Sequence, residues 1–265
     1  MLKIYSYFWY NLNKRLSFSG NKKLPIKISY DNVFLVSYPK SGSTWVRFLI
    51  GNYLSGNRCD FTNSHLIVPD IHLNPEQCSQ IQQPIFIKSH MPFRCDYRNV
   101  IYLVRDGRDV AVSYYFHLMK YRKISRNTLF ADFIGKFNHG FFDDYTSWNS
   151  HVNSWINNAP NKFLLIKYEN IKQNPLLQLI KILEFANISV NYDAATAAIE
   201  SSKFEKMKTL EKAQHNMFYR LSDSDASIPF IRRGQVGNWK QFFTDDLMNE
   251  FIRVHGLALE RLNYL

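Results

Sequence analysis

The stretch VFLVSYPKSGSTWVRFLIGNYL, residues 33–54, constrains this chain more than any other. A β-branched apolar run enters a tight turn, and the turn opens an amphipathic helix. Pro39 and Gly42 shape the turn. Ser41, Gly42, Ser43 and Thr44 carry small side chains and bring backbone N–H groups to the start of the helix. There the first N–H groups lack intrahelical partners and the macrodipole favours negative charge. Lys40 adds a full positive charge. The pattern predicts an anion cradle, with a plain strand–turn–helix corner as the alternative. Lys40 precedes the glycine, so the order departs from GxxxxGK[ST], and a conventional magnesium-dependent nucleotide hydrolase is disfavoured.

Three further apolar runs match the first: PIFIK at 84–88, VIYLV at 100–104 and FLLIK at 163–167, beside VFLVSY at 33–38. None alternates with polar residues, as expected of parallel strands covered on both faces. Helical patterns fall at 44–54, 109–121, 129–137, 144–157, 176–186, 193–201 and 245–262. Strands alternating with helices predict an α/β domain whose central, mainly parallel sheet is flanked by helices. With 265 residues and no repeat or linker, residues 1–265 read as one domain with one core. The polar segment 206–231, which carries SDSDAS, has no clear period and reads as a lid loop.

The charge is lopsided: 33 basic against 22 acidic residues, a net of +11. Residues 1–30 form a basic, aromatic extension with Lys3, Lys14, Arg15, Lys22, Lys23 and Lys27 and no acid. Such a surplus points to an anionic partner: nucleic acid, a membrane surface or a phosphorylated small molecule. No nucleic-acid motif accompanies it, and weak contact with a membrane surface remains an option. No run approaches the about 18 apolar residues of a membrane span, and the N-terminal segment makes a poor signal peptide, so a cytoplasmic location is expected. Cys59, Cys78 and Cys95 form no CxxC pair and read as reduced thiols. The histidines show no HExxH set, and no metal is predicted.

YPKSGSTW, at residues 38–45, resembles the 5′-phosphosulfate loop of the cytosolic-type sulfotransferase family. Three more segments resemble that family in its own order. IKSHMP, 87–92, is similar to the strand end that carries a catalytic histidine. VIYLVRDGRDVAVSYYFH, 100–117, is similar to the segment that binds the donor's 3′-phosphate. RRGQVGNWKQFFT, 232–244, resembles the C-terminal RKGxxGDWKxxFT signature. The resemblance implies a P-loop-type nucleotide-hydrolase-like fold and the donor 3′-phosphoadenosine 5′-phosphosulfate (PAPS), released as 3′-phosphoadenosine 5′-phosphate (PAP). It also implies roles. Lys40 contacts the 5′-phosphosulfate, Ser41, Gly42, Ser43 and Thr44 cradle it, and Trp45 stacks on adenine. Arg105 and Ser113 bind the 3′-phosphate, with Arg232, Arg233 and Gly234 beside them. Tyr168, Ser202 and Phe204 flank adenine. His90 is the general base and Lys88 sits near the transferring sulfuryl group. Cationic side chains take the place of a metal. Arginine suits the two phosphate ends because its fork donates in pairs.

Departures from the family pattern accompany these matches. Asn238 stands for the aspartate of GDWK, and Asn249 stands where the family's KxxxTVxxxE dimer motif has glutamate, which leaves the oligomeric state open. Acceptor-pocket loops are expected at 57–83, 119–145 and 206–231. Phe61, Phe93, Tyr115, Phe116, Phe141 and Phe142 are candidate pocket aromatics, with core packing as the alternative for each. Asp60, Asp70, Asp143 and Asp144 would suit a cationic acceptor. Richness in Asn and Lys resembles AT-rich bacterial coding, which suggests a bacterial enzyme acting on a specialised small metabolite, or else on a carbohydrate or lipid. A small-molecule kinase is the rival enzyme; it would need Asp106 and Asp109 for magnesium, whereas capping a helix and pairing with arginine is the competing use of both.

Overall fold

Four short parallel strands carry the framework. The computed structural model describes residues 29–72, 86–217 and 224–265. Strands β1 (Val33–Ser37), β2 (Phe86–Ser89), β3 (Asn99–Val104) and β4 (Lys162–Lys167) lie in the order β2-β1-β3-β4. Every pairing is parallel, with Val33 opposite both Phe86 and Asn99, and Asn99 opposite Lys162. The chain passes from β1 to β2 on one side, then crosses back to β3 on the other. In such open sheets ligands bind beyond the strand C-termini, at the point where the order reverses.

The helices are α1 (Ser43–Ser55), α2 (Ser64–Ile67), α3 (Gly107–Lys120), α4 (Phe130–Asn138), α5 (Trp148–Asn157), α6 (Tyr168–Gln173), α7 (Pro175–Phe185), α8 (Tyr192–Ser201), α9 (Phe204–Gln214) and α10 (Asp245–Arg261). They cover both faces of the sheet. On one face Phe34, Val36, Val100, Tyr102 and Val104 pack with Val110, Phe137, Trp148, Trp155 and Phe251. On the other, Val33, Leu35, Ile101, Leu103 and Ile166 pack with Leu49, Ile50, Leu183 and Ala195. Successive strand residues point to opposite faces and both faces are buried, which explains runs without polar alternation. The edge strand β4 is the exception: Leu165 is 39% exposed, so the expected cover on both faces holds for β1 to β3 only.

The structure corrects three expectations. Helix α9 occupies the first part of the segment read as a lid loop. Its buried residues are Met207 and Glu211, and the Lys and Glu residues around them hide the helical period. The rest of that segment is held down: Glu211 accepts from the backbone N–H groups of Phe230 and Ile231, and Lys120 Nζ donates to the carbonyls of Asp225 and Ile228. Residues 218–223 lie outside the described residues. The helix expected from 144 starts only at Trp148, capped by Ser147, because Thr146 takes a left-handed φ of 69°. The short helices α2 and α6 had no counterpart in the pattern. Residues 1–28 and 73–85, with most of the basic extension and Cys78, fall outside the described residues.

Candidate active site

A cleft of about 1010 Å³ opens at the C-terminal ends of β1, β2 and β3. A single small ligand takes roughly 300–1,000 Å³, so the volume suits two bound molecules. Among its lining residues are Lys40, Arg47, Lys88, Arg105, Arg122, Lys123, Lys172, Arg232 and Arg233, against only Asp143 and Asp144. A concave site with that imbalance selects anions.

The turn after β1 forms the floor. Lys40 has φ 72° and Gly42 has φ 102°, both left-handed. A non-glycine residue there costs about 1–3 kcal/mol and is characteristic of functional loops. A Cβ on Gly42 would lie 2.5 Å from Tyr168 Cδ2, so only glycine lets the loop pass the tyrosine ring. Gly42 is the N-terminal flanking residue of α1, and Ser43 and Thr44 line the cleft. Ser41 does not: it is fully buried, with Oγ lacking a partner. Lys40 Nζ lies 3.3 Å from His117 Nδ1 on α3 and 4.6 Å from the centre of the Phe230 ring.

At one end of the cleft sit three arginines. Arg105 Nη2 donates to the carbonyl of Gln235 at 2.7 Å and lies 3.5 Å from Asp109; its guanidinium covers Tyr168 at 4.4 Å, and its buried Nε has no partner. Arg232 covers Phe116 at 4.4 Å and donates to Asn238 Oδ1. Burial, then the charges of Arg233 and Arg105, push Arg232 down to about 10. Gly234, at φ 59°, passes the Phe204 ring so closely that a Cβ would lie 2.9 Å from Cδ2. Ser113 and Phe204 also line the cleft. Trp45 stands edge-to-face to Tyr168 at 5.7 Å, with its indole N–H on the carbonyl of Ser202. The Ser202 side chain is turned away: fully buried, it accepts from Asn52 Nδ2, which corrects the expectation that it flanks a ligand.

At the other end His90 lines the cleft just beyond β2. Its Nδ1 is 2.6 Å from the carbonyl oxygen of Ser37. A carbonyl only accepts, so Nδ1 carries the proton and Nε2 keeps the lone pair. Burial first, then the charges of Lys88 and His72, hold its pKa well below the ordinary histidine value, against the opposing pull of Asp70 and the Ser37 bond. The ring is a neutral base at physiological pH. Lys88 pairs with Asp70 at 2.8 Å, both side chains almost wholly buried. Asp143 is pushed up to about 6 by burial, although Tyr114 Oη and the Tyr145 N–H both donate to it.

Several acceptor-pocket candidates lie elsewhere. Phe61 packs on Phe48, and Phe93 on Trp155. Tyr115 packs on Phe133, Phe116 lies under Arg232, and Phe141 is exposed. Of the six aromatics only Phe142 lines the cleft. Asp60 ties its own turn through Thr62 and Asn63, and Asp70 is spent on Lys88. Asp106 caps α3 and grips Arg108, while Asp109 accepts from the N–H groups of Gly237 and Trp239. Neither acid is placed for magnesium, as a kinase would need. Among the described residues no cluster of His, Cys, Asp or Glu could hold a metal ion, and no helix is long and apolar enough to cross a membrane. Sequence reasoning missed His72, His117, Tyr145 and Phe230. They come from separate segments; His117 ends the 100–117 segment without a role implied for it, and the other three carry no local motif.

The sulfotransferase domain family matches residues 30–262. Mouse sulfotransferase 1B1 is 32% identical over 247 residues, covering 84% of this chain and 81% of the relative. Bovine sulfotransferase 1E1 is 29% identical over 242 residues, covering 83% and 81%. Among solved structures, mouse sulfotransferase SULT7A1 complexed with PAP superposes with a TM-score of 0.71 at 26% identity, covering 87% of this chain and 86% of that one. Retinol dehydratase in complex with androsterone and PAP has the same fold, with a TM-score of 0.73 at 20% identity and coverage of 89% and 82%. These relatives lend no support to a bacterial source. The chain belongs to the sulfotransferase family, and it is a sulfotransferase.

Proposed function

We propose that this enzyme moves the sulfuryl group of PAPS to a hydroxyl or amine of a small molecule, with His90 as general base. The observation that carries the reading is the His90 tautomer. With the Nδ1 proton on the Ser37 carbonyl, Nε2 is the acceptor of the proton that the nucleophile loses. The residues present suit the donor. The partnerless Arg105 Nε, the crowded charges of Arg105, Arg232 and Arg233, and the close approaches at Gly42 and Gly234 suit a ligand with phosphate at both ends. PAP bound in the SULT7A1 and retinol dehydratase structures supports the same donor.

In this reading Arg105, Ser113, Arg232, Arg233 and Gly234 hold the 3′-phosphate end. Ser43 and Thr44 hold the 5′ end, with Gly42 shaping the loop and Ser41 buried beneath it. Trp45, Tyr168 and Phe204 supply the aromatic surface for adenine, and the Ser202 carbonyl fixes the Trp45 indole. The acceptor oxygen or nitrogen attacks sulfur, its proton passes to His90 Nε2, and the bridging oxygen–sulfur bond breaks with its electron pair leaving on the phosphate. Lys40 stabilises that charge, and Lys88, held by Asp70, faces the sulfuryl oxygens. We place the reaction in the cytoplasm and take a specialised small metabolite as the acceptor.

Release of PAP from PAPS is the test. With wild-type protein, PAPS and an acceptor panel, the expected result is PAP release that needs no magnesium. ATP-dependent transfer that needs magnesium would overturn the reading in favour of a kinase.

A further inference from the structure

His90 is held at more than its ring. Its backbone N–H donates to His72 Nε2 at 2.8 Å, and its carbonyl faces His151 Nε2 at 3.0 Å. His72 arrives because residues 69–71 run alongside β2. Lys88 N–H donates to the Pro69 carbonyl, Ile71 N–H donates to the Lys88 carbonyl, and Asp70 bridges to Lys88 in parallel register. Asp70 lies opposite Lys88, and a turn at Ile71 and His72, tied by the His72 N–H to Asp70 Oδ1, brings the His72 ring to the His90 N–H. The His72 and His90 rings lie 6.1 Å apart and nearly parallel, and Tyr145 packs on both.

The two imidazoles have opposite tasks. A backbone N–H only donates, so His72 Nε2 is unprotonated and its proton sits on Nδ1. A carbonyl only accepts, so His151 carries its proton on Nε2, and its Nδ1 takes the Tyr102 hydroxyl at 2.9 Å. Burial holds His151 down at about 4, so it stays neutral. His72 is the vulnerable member, because a proton on Nε2 would set two donors face to face and break its bond to His90.

We propose that His72 and His151 are positioning residues that clamp the peptide unit of His90 from its two sides, and that the base is competent only while His72 is neutral. The proposal rests on His90 being the base. Among the described residues, the groups facing His72 include His90, Asp70 (whose Oδ1 accepts from the His72 N–H), Lys88 paired with Asp70, the Ser89 hydroxyl with Tyr97 behind it, and Tyr145 beside Asp143. Protonating His72 turns its acceptor into a donor, releases the His90 N–H and lets the ring leave the Ser37 carbonyl.

The test uses full-length protein and needs no known acceptor, because water serves in the slow breakdown of PAPS. Water oxygen attacks sulfur, its proton passes to His90, and PAP departs with sulfate formed. In ¹⁵N-labelled protein a scalar coupling should join the His90 amide nitrogen to His72 Nε2 across their hydrogen bond, and vanish on acidification. His72→Ala should slow PAPS breakdown roughly 10- to 100-fold at unchanged PAP affinity. His72→Gln, whose amide oxygen can still accept, should recover most of the rate. Its acid limb should reflect one protonation, where the wild type's reflects two. Absence of the coupling in folded protein, or a wild-type rate and pH profile in His72→Ala, would overturn the clamp. A wild-type rate in His90→Asn with the coupling intact would instead overturn the base reading beneath it.

Discussion

The two ends of the cleft solve opposite problems. The arginine end concentrates charge: Arg105, Arg232 and Arg233 crowd together, with Asp109 paired to Arg105. The histidine end suppresses charge. His90 and His151 are held neutral by burial, Lys88 is paired with Asp70, and Asp143 is pushed towards its neutral form. Cations in excess of carboxylates bind an anion whether or not it reacts. A neutral, desolvated base accepts a proton only from a group that is giving one up. The difference assigns donor affinity to the first end and chemistry to the second.

Substitutions should split along that line. The largest effect is expected from His90→Asn, which removes the basic nitrogen: turnover should fall roughly 10²–10⁴-fold while PAP affinity stays intact, as read by rate assays beside calorimetry. Arg105→Ala should do the converse. Charge-assisted hydrogen bonds contribute about 1.5–3 kcal/mol, so the PAP dissociation constant should rise roughly 10- to 150-fold. ADP, which lacks the 3′-phosphate, should be little affected; an equal loss for ADP would remove Arg105 from that phosphate.

Gly234→Ala should be milder. The left-handed backbone costs a side chain about 1–2 kcal/mol, and the new Cβ would press on Phe204. PAP binding should weaken roughly 5- to 30-fold, and the melting temperature should fall by a few degrees. The smallest effect is thermodynamic. Asp143 in the folded protein holds its proton up to about 6, against an ordinary value of 3.8. Its contribution to stability is therefore full below 3.8 and is lost as pH rises to about 6. Urea unfolding across that window should show wild type losing about 1–2 kcal/mol relative to Asp143→Asn. Parallel curves would mean that water reaches the carboxylate.

The sequence discloses these two ends unequally, for a physical reason. The floor and the arginine end are local: a strand, a turn and a helix start lie within residues 33–54, and Arg232, Arg233 and Gly234 adjoin in the chain. Strands and longer helices were legible because both sheet faces are buried and each helix buries a stripe. Helix α9 was not, because its buried stripe is as thin as Met207 and Glu211. At the histidine end His90 stood out through IKSHMP, but His72, His151 and Tyr145 are brought to it by strand register and loop packing. Nothing local marks such residues. The reverse error occurred at Ser202, where a motif pointed to the ligand and packing turned the side chain into the core.

Calorimetric titration of PAP without magnesium, with magnesium–ATP in a parallel cell, tests the central claim most directly. The account predicts tight PAP binding that needs no metal, and far weaker binding of ATP. A preference for magnesium–ATP, or no PAP binding by folded protein, would contradict it.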